Sequence, residues 1–146
     1  MQTVRDESGR DYLLVKRSSE SSLVRDPRTG EERYLPNDAL STPAGEAPLS
    51  AAASGVPASV RRVLTAVHDE RGLGLLIELV DRGAVAVVDL LGAYDLCESD
   101  LHGTLTEFRA AGLVEEADVA GARGYRATEL AREAVDHLRA GTDEFE

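Results

Sequence analysis

The sequence has little cysteine, few large aromatic side chains and no long apolar run. Cys97 is the only cysteine in 146 residues, so no internal disulfide can form and a cysteine-rich zinc site is excluded. No apolar run approaches the roughly 18 residues that a membrane-spanning helix needs. The first ten residues, MQTVRDESGR, lack the apolar core of a signal peptide. We therefore expect a protein of the cytoplasm without a membrane segment.

Motifs of catalysis and cofactor binding are also missing. The three histidines, His68, His102 and His137, lie far apart and have no metal-ligand spacing. The chain has no glycine-rich phosphate loop, no nucleophile elbow and no cysteine pair. We therefore expect no enzymatic activity, no cofactor and no metal site.

The charged residues are mostly acidic, and the basic ones are almost all arginine. There are 27 Asp and Glu against 16 Lys and Arg, a net charge of −11, and Lys16 is the single lysine. This composition resembles that of proteins from halophilic archaea, whose acidic surfaces stay hydrated in concentrated salt. An ordinary acidic protein from a GC-rich genome is the alternative. In molar salt the screening length falls to roughly 3 Å, so an acidic protein can still approach DNA.

An approximate repeat organises residues 1–40. The triplet VRD at 4–6, with Gly9 and YL at 12–13, recurs as VRD at 24–26, with Gly30 and YL at 34–35. Each copy predicts a short strand, a glycine-containing turn and a returning strand. We expect a small antiparallel β-hairpin region over 1–40, followed over 41–57 by a linker rich in Ser, Pro, Ala and Gly.

From residue 58 to 146 the apolar spacing becomes helical, in the order helix, helix, tight turn, helix, hairpin, helix. Ser99 is the expected N-cap of the third helix, which places Leu101, Leu105 and Phe108 on one face and ends at Gly112. This order predicts a winged helix-turn-helix domain with flanking N- and C-terminal helices. The fold class is therefore α+β.

The segment SDLHGTLTEFRAAGLV at 99–114 resembles the recognition-helix region of ArsR-like and MarR-like regulators. In that pattern a capped helix ends in Arg-x-Ala-Gly-Leu-Val and continues directly into the wing. The full layout is also similar to small winged-helix proteins of haloarchaea that carry a β-rich leader. The resemblance implies a transcriptional regulator whose partner is double-stranded DNA.

With the leucines and the phenylalanine facing inward, polar side chains remain for the major groove. The residues that we expect to contact DNA are Ser99, His102, Gly103, Thr104, Thr106 and Arg109 on the helix, and Arg123 and Arg126 on the wing. Each also has a plain structural interpretation: Arg109 can pair with Glu107 or Asp100, and the wing arginines can simply be solvated.

The last helix, 129–139, is amphipathic. In similar regulators the flanking helices pair across a twofold axis, which implies a homodimer with Leu130, Val135 and Leu138 at the seam. The equally weighted alternative packs this helix on the chain's own helix at 60–67.

Carboxylates next to the expected reading helix oppose DNA binding, because counterion release normally supplies much of the affinity. The leading prediction is a sequence-specific DNA-binding transcriptional regulator. The alternative is a protein–protein interaction module in a transcription or chromosome-associated complex, in which the N-terminal hairpins or the acidic helical face bind a protein partner.

Overall fold

A computed structural model describes residues 1–142 of the chain. The chain divides into two compact units, residues 1–57 and residues 58 onward. Both contain helices and an antiparallel sheet, so the predicted α+β class is confirmed. In the described part of the chain, no helix is both long enough and apolar enough to cross a bilayer.

Unit 1 is built on two consecutive β-hairpins. Its elements are β1 (Gln2–Arg5), β2 (Asp11–Arg17), β3 (Ser21–Arg25), β4 (Glu32–Pro36), a short 3-10 helix (Asn37–Ala39) and α1 (Pro48–Ala53). The four strands pair antiparallel in chain order. The register shifts between Leu14 and Lys16 of β2, and Lys16 is exposed to solvent.

The two copies of the sequence repeat form the same kind of turn, one in each hairpin. Oδ1 of Asp6 accepts a hydrogen bond from the amide of Ser8 at 2.9 Å, and Oδ1 of Asp26 accepts one from the amide of Arg28 at 2.9 Å. Such Asx turns fix the backbone two residues beyond the aspartate. The same residue type therefore opens the turn of each hairpin.

Tyr12 lies at the centre of the unit 1 core, fully buried beside Val4 and Val24. Its hydroxyl accepts a hydrogen bond from Arg33 at 2.8 Å and donates one to Asp6 at 3.1 Å. Partial burial raises the pKa of Asp6, but hydrogen bonds from Ser8, the Arg10 amide and Tyr12 outweigh it and lower this pKa to about 2. A polar network thus completes a small apolar core.

The segment 41–57, expected to be a linker, instead belongs to unit 1. Helix α1 packs against β1 and β2, and its Ala51 is fully buried. Beyond this helix, a Cβ at Gly55 would collide with the carbonyl oxygen of Pro27 in the turn between β3 and β4. Small residues allow the backbone to lie close to the sheet, so this composition here marks close packing rather than free chain.

Unit 2 surrounds a larger core. Its elements are α2 (Ala58–Ala66), α3 (Glu70–Arg82), β5 (Val85–Ala86), α4 (Val87–Ala93), α5 (Glu98–Ala110), β6 (Val114–Val119), β7 (Ala122–Ala127) and α6 (Glu129–Thr142). The three strands form an antiparallel sheet in the order β5-β7-β6. The core includes Leu76 and Leu79 from α3, Leu90 from α4 and Phe108 from α5.

The ends of α5 are set by Cys97 and Gly112. An N-cap at Ser99 would start the helix at Asp100, but the helix begins two residues earlier, at Glu98, and Sγ of Cys97 accepts the amide of Asp100 at 3.4 Å. Gly112 has φ +76°, and the amide of Leu113 donates to the carbonyl of Phe108 at 2.8 Å. This left-handed C-terminal turn leads directly into β6.

Candidate nucleic-acid interface

Helix α5 is anchored on one face only. Leu101, Leu105 and Phe108 are buried in the unit 2 core, as their spacing predicted. At 3.6 residues per turn, the side chains opposite these three point away from the core. The outer face of α5 is therefore exposed in this structure.

The middle of that outer face consists of small, uncharged residues, which we call the α5 ridge: Ser99, Gly103, Thr106 and Ala110. All four are exposed, and a Cβ built on Gly103 meets no other atom within 4 Å. The hydroxyl of Thr106 donates to the carbonyl of His102 at 2.8 Å. The ridge thus presents hydroxyl groups and bare backbone without a carboxylate.

The two flanks of the ridge differ in charge. His102 and Arg109 lie on one flank together with Glu98 of the first turn, whereas Asp100 and Glu107 lie on the other by helical geometry. Oε2 of Glu107 is 3.0 Å from Nε2 of His68, which lies in the connection between α2 and α3. The acidic flank therefore faces the α2–α3 connection.

A cleft lies on each side of α5, and Ser99 lines both of them. A groove of about 820 Å³ is lined by Ser99, His102 and Arg123 together with apolar residues of α4 and β7. A second cleft of about 360 Å³ is lined by Gly103, half-buried Thr104 and Glu107. The helix thus separates two concave surfaces, and only the first reaches the β6–β7 hairpin.

The β6–β7 hairpin turns tightly at Ala120 and Gly121, both with positive φ, at +53° and +85°. Oδ1 of Asp118 accepts the amide of Gly121 at 2.8 Å. Because this turn is so short, Arg123 lies within strand β7 rather than at the tip of the hairpin. Side chains alternate between the two faces of a strand, so Arg123 and Arg126 lie on opposite faces.

The structure brings Arg109 and Arg123 together but leaves Arg126 apart. Nη1 of Arg109 and Nη2 of Arg123 lie 3.1 and 2.9 Å from the same oxygen, Oε1 of Glu116. Arg126 pairs instead with Glu115, at 2.7 Å. Arg109 is thus ion-paired, although its partner is neither Glu107 nor Asp100, the two expected from the sequence.

Arg123 is held further by Tyr125. The guanidinium donates to the tyrosine hydroxyl at 2.9 Å and lies 5.7 Å from the ring centroid. The hydrogen bond to Tyr125, followed by the contacts with Glu116, raises the pKa of Arg123 above its ordinary value. This cation is therefore both oriented and permanently charged.

Glu116 is the residue of this cluster that sequence reasoning missed. The hairpin register could have predicted its position. Once the turn is placed at 120–121, Glu116 pairs with Tyr125 and lies on the same face of the hairpin as Arg123. The contact with Arg109 depends in addition on how α5 packs on the hairpin.

A family model described as "Family of unknown function (DUF7346)" matches residues 1–139. The chain belongs to this family. No curated protein matches it. A solved structure titled "Crystal structure of ArsR family transcriptional regulator, RHA00566" is similar at 16% identity and a TM-score of 0.43, covering 61% of this chain and 91% of that one. That likeness is too low to transfer a function.

In this DUF7346 chain the packing of α6 contradicts part of the predicted dimer interface of Leu130, Val135 and Leu138. Val135 is only 1% exposed, because α6 packs against α2 of its own chain, the alternative weighed above. Leu130 is half-buried against the same core, whereas Leu138 is 37% exposed. Val135 is therefore a core residue and is not available to a second copy.

No group of three or more His, Cys, Asp or Glu side chains within residues 1–142 is arranged to hold a metal ion. Cys97 is exposed, and its Sγ lies 3.2 Å from Oγ of Ser99.

Proposed function

We propose that unit 2 is a winged helix-turn-helix domain that binds double-stranded DNA and regulates transcription. In this proposal α5 enters the major groove and the β6–β7 hairpin is the wing. The observation that carries it is the uncharged α5 ridge, exposed beside two arginines that a shared carboxylate holds together. A reading helix needs this combination of a buried face and a free polar face.

The side chains of the ridge suit close approach to base edges. Ser99 and Thr106 carry hydroxyl groups that can accept a hydrogen bond from a base, and the hydroxyl of Thr106 can donate to one if it rotates away from the carbonyl of His102. Gly103 adds no side chain, so the helix backbone can come near the floor of the groove. His102 and Thr104, on either side, complete the surface that we propose faces the bases.

Arg109 and Arg123 are proposed to contact backbone phosphates on the hairpin side of the helix. Their ion pairs with Glu116 are about half exposed, so water screens the attraction and a phosphate can replace the carboxylate. Arg126 lies on the other face of the hairpin and would reach a different part of the duplex. The proposal also includes a homodimer, for which Leu138 is the exposed apolar candidate on α6.

A gel shift in molar KCl with Arg109→Ala, Arg123→Ala and the double variant tests this function. We expect each single variant to weaken DNA retention and the double variant to weaken it most, because each variant removes a guanidinium that donates directly to a phosphate. Arg139→Ala is the matched control: it changes the charge equally but breaks an exposed pair with Asp81. Equal retention by all four variants and the wild type would contradict the proposal.

A second candidate function is a protein-interaction module. The groove between α4, α5 and β7 is lined by Val87 and Val88, and Val88 is 68% exposed. In addition, each of the three predicted DNA-facing arginines is already paired with a carboxylate. A stoichiometric protein partner in pull-downs, with no DNA enrichment in chromatin immunoprecipitation, would favour this candidate.

A further inference from the structure

Three elements converge on one carboxylate beside α5. Arg109 comes from the last turn of α5, Arg123 from β7 and Glu116 from β6, and both guanidiniums donate to Oε1 of Glu116. We call the two guanidiniums the arginine clamp. Two cations share a single anion here, so the cluster keeps one net positive charge.

The clamp has the geometry of an anion site that is already filled. Tyr125 orients Arg123 through a hydrogen bond and a ring contact, and the register of the hairpin places Glu116 opposite Tyr125. A phosphodiester carries the same single negative charge as a carboxylate and also offers two oxygens to arginine. The carboxylate of Glu116 therefore occupies the position that suits a DNA phosphate.

We infer that the Glu116 carboxylate competes with DNA phosphates for the arginine clamp. It is displaced from the clamp when a phosphate binds. This inference rests on the proposed DNA-binding function. The side chains of Arg109, Glu116 and Arg123 are 58%, 44% and 59% exposed, so water screens their attraction and exchange costs little. A displaced Glu116 stays near the phosphate and repels it.

This competition weakens the sequence-independent part of DNA binding. Phosphate contacts supply most of the affinity for random DNA, whereas contacts to base edges discriminate between sites. The α5 ridge contains no partner of Glu116. Glu116 therefore lowers binding to every duplex alike, so that base contacts are needed to retain the protein on DNA.

The test is Glu116→Gln, measured by fluorescence anisotropy with a short random-sequence duplex over a series of KCl concentrations. We expect about fivefold tighter binding, because DNA no longer has to break the two weak, exposed ion pairs of Glu116. The slope of log K against log[KCl] should become steeper by about one. Glu129→Gln is the matched control: it makes the same charge change and breaks an exposed pair with Arg132, which the proposal does not place on DNA.

The outcomes separate this inference from the proposed function. If Glu116→Gln binds no more tightly than Glu129→Gln, while the Arg109→Ala, Arg123→Ala double variant still loses affinity, the competitor role is overturned and DNA binding stands. Weaker binding by Glu116→Gln also overturns it, because Glu116 then positions the clamp for DNA. If neither the wild type nor Glu116→Gln binds DNA at any KCl concentration, both proposals fail together.

Discussion

A single added methyl group on the α5 ridge tests whether this face is open. Gly103 lies in the interior of α5, where glycine costs about 0.8–1.0 kcal/mol relative to alanine. A Cβ at this position meets nothing within 4 Å, so the methyl group neither clashes nor gains packing. We therefore expect Gly103→Ala to raise the free energy of unfolding by about 0.5–1 kcal/mol.

Urea unfolding followed by far-ultraviolet circular dichroism measures this change, because most of the helical residues belong to unit 2. Gly72→Ala in α3 is the matched control, since it is also a helical glycine. Its Cβ would lie 3.3 Å from Oδ1 of Asp69, which caps the helix by accepting the Gly72 amide at 2.8 Å. We expect a smaller gain there, or a loss, because the methyl group crowds the cap.

A lower urea midpoint for Gly103→Ala, with an unchanged slope, would refute the reasoning. Such a result requires that another surface already fills the space beside Gly103. A face of α5 that is covered in solution could not enter a groove, so the proposed function would fall with it.

Two further predictions concern backbone contact and pH. Gly124→Ala should lower the stability of unit 2 by about 3 kcal/mol, because its Cβ would lie 2.5 Å from the carbonyl oxygen of Val85; an unchanged urea midpoint would contradict this. The pKa of Asp6 is about 2 in the folded chain, below its ordinary value. Asp6 therefore stabilises unit 1 above its ordinary pKa, and this contribution is lost as the pH falls towards 2. The Asp6→Asn variant should lose less stability than the wild type as the pH falls towards 2. Identical acid unfolding of the two proteins would contradict the low pKa of Asp6.

Much of the helical layout of unit 2 could be predicted from local sequence. The spacing of Leu101, Leu105 and Phe108 gives the buried face of α5, and Gly112 gives its end, because both depend on residues within one or two turns. The N-cap was misplaced by two residues. Ser99 is the better capping residue by type, but the backbone becomes helical earlier and the cap is the cysteine.

Three features of the structure depend on tertiary packing and could not be predicted from the sequence. The residues at 41–57 have the composition of a linker, yet buried Ala51 and the close approach at Gly55 depend on a sheet that lies earlier in the chain. Val135 fits an exposed seam or a core equally well, and the packing of α6 on α2 selects the core. The clamp at Glu116 required both the hairpin register and the placement of α5.

The exposed Lys16 of β2 has a practical consequence for every experiment above. It is the single lysine in the sequence and belongs to unit 1. An amine-reactive fluorophore therefore has a single side-chain target, which lies outside unit 2, and leaves every guanidinium and carboxylate of unit 2 chemically unaltered. Acetylation or crosslinking through lysine would likewise report on the hairpin sheet alone.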